Sequence, residues 1–64
     1  MKEEVFKWFD AHEFSPEEVE DLDYLLNILS NFEENLEEEF EEEEAIKLAL
    51  DYQIYFRKKL ENIG

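Results

Sequence analysis

The side chains of this sequence that could take part in chemistry are mostly carboxylates. Asp and Glu number twenty against six Lys and Arg, for a formal net charge of −14. Nine of the twelve residues from 33 to 44 are glutamates (Glu33, Glu34, Glu37, Glu38, Glu39, Glu41, Glu42, Glu43 and Glu44), and none of the twelve is basic. Carboxylate pairs work as acid and base in glycoside hydrolysis when a concave site buries them and drives their pKa values apart. A solvated glutamate run meets neither condition. With one His, two Ser, no Thr and no Cys, the chain also lacks the nucleophile, base and spare orienting group of a hydrolase triad. No catalytic or cofactor-binding residue stands out, and an enzyme is not expected.

Metal chemistry is equally poorly served. His12 would need a Glu three residues earlier to match the Glu-x-x-His motif of di-iron bundles, but position 9 is Phe. No D-x-D-x-D-G calcium loop occurs, and a dense acidic run binds Ca²⁺ or Mg²⁺ only loosely. No specific metal site is expected. His12 is read instead as closing the first helix, where positive charge suits the helix dipole.

Sixty-four residues suffice for one domain, residues 1–64, whose core is marginal at this size, so a partner or a homodimer is expected to add support. A hydrophobic content of 44% with ten aromatics separates the chain from acidic disordered segments, which are poor in aromatic residues. The chain therefore should fold. Absence of Cys removes disulfides and thiolate chemistry and is compatible with a reducing compartment. There is no basic region leading into an apolar run at the N-terminus, and no apolar run approaches the roughly 18 residues of a membrane span. A soluble, cytoplasmic protein without membrane contact is expected. Its charge repels DNA, RNA and anionic lipid, so direct nucleic-acid binding is not expected, whereas a basic nucleic-acid-binding protein would attract it.

The elements that must position these acids are helical. Val5, Trp8, Phe9 and His12 share helical spacing, predicting a short amphipathic helix over about 3–12. In "FSPEE", Ser15 is an N-cap, Pro16 the first helical residue and Glu18 the capping-box partner, with Phe14 placed to staple onto Val19. A second stripe, Val19, Leu22, Leu25, Leu26, Leu29, Phe32, Leu36 and Phe40, stays within an arc of about 140°. It predicts one long helix over about 16–41, with Ser30 and Glu33 marking an alternative break at 30–31. Over about 45–62 a further helix carries Ile46, Ala49, Leu50, Gln53, Phe56 and Leu60 on one side and Leu48, Tyr52 and Tyr55 on the other. Arg57, Lys58 and Lys59 fall near its end, and Gly64 is the candidate cap. The expected fold is all-α: a small helical hairpin with the N-terminal helix packed across it.

If residues 33–44 were helical, five like-charged i,i+4 glutamate pairs would oppose the helix by roughly 1–2.5 kcal/mol. Alternating Glu with Lys would solvate the same face and stabilise it, so the exclusion of cations is a property of the surface. Two function classes follow. Glu33, Glu34, Glu37, Glu38, Glu41, Glu42, Glu43 and Glu44 could imitate nucleic-acid phosphates and occupy the groove of a basic nucleic-acid-binding protein or nuclease. In composition and size the chain resembles small acidic DNA mimics of phages and mobile elements, including inhibitors of restriction and CRISPR nucleases, with no motif in common. Alternatively the acids only solubilise a helical interaction subunit, such as an antitoxin or adaptor, whose contact is the apolar set Leu48, Tyr52 and Tyr55.

Overall fold

The computed structural model describes residues 2–37 and 39–63. They form four helices and no strand: α1 (Lys2–Ala11), α2 (Pro16–Val19), α3 (Leu22–Leu36) and α4 (Glu42–Ile63). The short connection over 37–41 makes α3 and α4 an antiparallel hairpin, and α1 packs against both. This is the all-α hairpin with a short helix across it that the periodicity predicts. At about 1.5 Å per residue the 22 residues of α4 span most of the longest dimension, 38 Å.

The N-terminal signals work locally as expected. Ser15 Oγ accepts the Glu18 amide, and the Glu18 carboxylate accepts the Ser15 amide at 2.8 Å, completing the capping box. Phe14 and Val19 on either side of it are both buried. α1 ends at Ala11, and His12, just beyond, places Nδ1 2.7 Å from the Trp8 carbonyl and lies flat against Phe14.

The long helix over 16–41 does not form. Its first interruption is at Glu20 and Asp21. Asp21 takes an extended backbone and its carboxylate accepts the Tyr24 amide, so it starts α3 as a new N-cap. What holds the break open is α4: buried Gln53 donates Nε2 to the Val19 carbonyl at 2.9 Å, and Arg57 grips both Glu20 oxygens at 2.9 and 2.6 Å. The guanidinium keeps the Glu20 carboxyl below its ordinary pKa. Residues 30–31, the alternative break, lie inside α3.

The second interruption follows Leu36, where Glu37 adopts left-handed backbone (φ 59°, ψ 31°) and returns its amide to the Glu33 and Glu34 carbonyls. Breaking here keeps Glu37 and Glu41, and Glu39 and Glu43, from stacking one turn apart as a continuous helix would require. Phe40 still reaches the core, from the turn instead of from a helix. α4 then begins at Glu42, three residues before the expected start, with Glu42, Glu43 and Glu44 in its first turn, where the dipole favours acids. It runs on to Ile63, so Arg57, Lys58 and Lys59 precede the last turn, and Arg57 and Lys59 are spent on Glu20 and Asp10. Gly64 lies outside the described residues.

Two stability outcomes follow. Gln53→Leu fills the same space but leaves the Val19 carbonyl without its buried donor, and should lower the urea-unfolding free energy by about 1–3 kcal/mol. Glu37→Gly relieves left-handed strain and one like charge; it should stabilise by about 1 kcal/mol and raise the thermal midpoint by about 4–8 °C, read by circular dichroism.

Candidate functional site

The described part of the glutamate run is divided by the fold. Glu33 and Glu34 stand in the last turn of α3 and Glu37 caps it; together with Glu39 and Ser30 they line an open depression of about 360 Å³. No basic side chain contributes to that lining. Glu33 and Glu34 sit at the helix end whose dipole opposes acids, so their position is unfavourable to the fold that carries them. Glu41, Glu42, Glu43 and Glu44 are exposed and belong to the start of α4, where the Glu41 carbonyl accepts the Ala45 amide at 2.9 Å. Glu44 faces a different depression, shared with Lys2, Phe40, Lys47, Leu48 and Asp51. Glu38 lies outside the described residues. The track is therefore two groups on either side of a turn and not a single rod.

Glu17, Glu18, Glu20, Asp21 and Asp23 extend the acidic track ahead of residues 33–44, as part of a wider asymmetry. Residues 13–44, half the chain, hold fifteen of the twenty acids and none of the six Lys and Arg. The other half holds six cations against five acids, close to neutral. In the fold this places an uninterrupted acidic character on α2, α3 and the following turn, while α1 and α4 carry all the bases. Glu39 and Ser30 of the depression lie outside the expected binding set, whereas the charge asymmetry is found without coordinates by counting charge by segment.

The apolar set resolves differently from expectation. Tyr52 is 1% exposed, the largest fully buried side chain, and so is withdrawn from any partner. α1 covers this side of α4: Phe6 and Phe9 lie 5.3 and 4.7 Å from the Tyr52 ring, and Phe6 lies 4.8 Å from Tyr55. Leu48 and Tyr55 are half-buried at the margin of that contact. Both phenols end on one carboxylate, with Tyr52 donating to Asp10 at 2.7 Å and Tyr55 at 3.2 Å, while Lys59 Nζ stands 3.4 Å away. Burial, then the hydrogen bond to Asp10, raises the Tyr52 phenol above its ordinary pKa.

Among the described residues no three His, Asp or Glu side chains converge as metal ligands, and no helix is long and apolar enough to cross a membrane. No protein-family model, curated protein or solved structure matches the chain.

Because Tyr52 titrates higher in the folded chain, the unfolded chain loses that proton first, and the contribution, intact below about pH 10, is lost as pH rises through the folded-state pKa. Tyr52→Phe should cost about 1 kcal/mol at neutral pH and flatten this alkaline loss, measured by urea unfolding at both pH values.

Proposed function

We propose that this chain is an acidic inhibitor that presents carboxylates in place of nucleic-acid phosphates to a basic nucleic-acid-binding protein or nuclease. The observation that carries the proposal is the division of charge, fifteen acids and no cation over residues 13–44. Even spread along the full 38 Å of the molecule, fifteen carboxylates amount to one per about 2.5 Å, comparable with one charge per about 1.7 Å of duplex DNA. Further support comes from Glu33 and Glu34, which sit where they weaken their own helix; a solubilising surface would have gained by using Lys there. An adaptor or antitoxin docking through Leu48, Tyr52 and Tyr55 has less surface to work with, since α1 takes up most of that face.

The depression lined by Glu33, Glu34, Glu37 and Glu39 and the exposed acids of α2 form the contact, and the partner is recognised by a groove of Lys and Arg. Association should be fast and salt-sensitive, because exposed charges act over about 10 Å at 0.1 M salt. Affinity capture from nuclease-treated host lysate at low and high salt supplies candidates, and displacement of a labelled duplex or RNA from each purified candidate is the deciding measurement. The chain should release the nucleic acid at low salt. Replacing Glu33, Glu34, Glu37 and Glu39 together by Gln should weaken release at least about tenfold, equivalent to about 1.4 kcal/mol. A Gln variant as effective as the wild type would show that these acids serve solubility alone.

A further inference from the structure

The core takes Ala49 and Gln53 from one of the apolar sides read for α4 and Tyr52 from the other, and still leaves apolar residues facing outward. Ala49, Tyr52 and Gln53 are buried inward, yet Leu50, Ile54 and Leu60 remain 44%, 50% and 43% exposed. Ile46, Leu50 and Ile54 are four residues apart; at about 100° per residue they form a stripe about 80° wide on the outer side of the helix. A single helix exposed to water has no use for such a stripe, and a small domain gains from covering it.

The charges around the stripe say what covers it. α4 carries five acids and four bases, so its net charge is −1, while the rest of the chain carries −13. A second copy of so acidic a protein can come close only along α4 or α1, which is also at net −1, and of the two α4 carries the exposed apolar stripe. The acids and bases of α4 are also largely segregated by end, Lys47 and Glu61 excepted: Glu42, Glu43 and Glu44 begin it, and Arg57, Lys58 and Lys59 lie in its final third. Most tellingly, the pattern is symmetric about Leu50. Ile46 and Ile54 lie four residues on either side, Glu43 and Arg57 seven, and Glu42 and Lys58 eight, with opposite charges at matching distances.

We infer that two copies of this chain pair antiparallel through the outer side of α4, about a two-fold axis at Leu50. Leu50 then meets Leu50 of the second copy, Ile46 meets Ile54, and Glu42 and Glu43 of each copy face Lys58 and Arg57 of the other. A parallel pair would set the three N-terminal glutamates against themselves. Arg57 can serve both partners, because its bonds to Glu20 use Nε and one Nη2 hydrogen, leaving other donors of the guanidinium for the second copy. This interface is isologous, as two-fold contacts are, and it lies on α4, so it does not depend on the acidic face having any particular target.

Sedimentation equilibrium on the full chain over a dilution series tests the pairing. The wild type should show twice the 7.9 kDa chain mass at its upper concentrations. Leu50→Glu, which sets two carboxylates together on the axis, should be a monomer with unchanged far-UV circular dichroism, since Leu50 lies outside the core. Single cysteines fix the orientation in a chain that has none of its own. Leu50→Cys should oxidise to a covalent dimer. Glu43→Cys alone should not, because its counterpart would lie about 21 Å away along the helix pair, whereas a mixture of Glu43→Cys with Arg57→Cys should cross-link. A wild type that stays monomeric throughout, a dimeric Leu50→Glu variant, or self-cross-linking of Glu43→Cys as efficient as that of Leu50→Cys would each overturn the proposal.

Discussion

Burial of the Tyr52 ring is the constraint on which the rest of the structure depends. A chain of this size closes a core only by enclosing large rings, and Tyr52 is enclosed by Phe6 and Phe9 from α1, Phe14 from the α1–α2 connection and Phe56 from its own helix. Its hydroxyl cannot be left unpaired at that depth, and Asp10, at the end of α1, accepts it at 2.7 Å. One bond therefore fixes how far α1 slides along α4. The Trp8 indole, donating to the Ile28 carbonyl at 3.2 Å, fixes α1 against α3 in the same way. With α1 held on both sides, the inward side of α4 is settled, and so is the side left for water or for a second copy.

Like-charge repulsion is the counterpart of that burial. A chain with nine glutamates in twelve positions cannot extend a helix through them without stacking acids at every turn, so relief comes by ending α3 and restarting as α4. The turn divides the acids by consequence. Those that begin α4 are favoured by its dipole, and those that end α3 are opposed by theirs. The second group is the one that a purely structural account leaves unexplained, which is why the functional proposal rests there and on the acids of α2 at the other end of α3.

A single helix thereby mediates between two kinds of surface. α4 supplies Tyr52 to the core, Gln53 and Arg57 to the break before α3, and a nearly neutral outer stripe where the rest of the molecule is strongly negative. Three quarters of the acids lie in the half of the chain that has no cation, so among the described residues only Arg57–Glu20 pairs across the two halves, Lys2–Asp51 and Lys59–Asp10 pair within the other, and all three are open to solvent and individually weak. Apolar burial and the buried hydrogen bonds have to dominate the stability.

Much of this was legible in the sequence because it is local. The all-helical character, the Ser15–Pro16–Glu18 start and the apolar positions of Phe14 and Val19 on either side of it depend on neighbours a few residues apart, and these are found where the pattern puts them, although the period alone runs one helix through 16–41. Asp21 was legible too, as an N-cap before the apolar run from Leu22, but the unbroken phase of the stripe hid it. Two other features were decided only by tertiary structure. With no Pro or Gly between Pro16 and Gly64, Asp21 and the like charges are the only local marks of a stop, and the first break is fixed by Gln53 and Arg57 reaching from more than thirty residues away. Likewise α4 has apolar residues around much of its circumference, and which of them become core is settled by α1 lying down over Tyr52 and by α3, because periodicity reports that a face is apolar but not what will cover it.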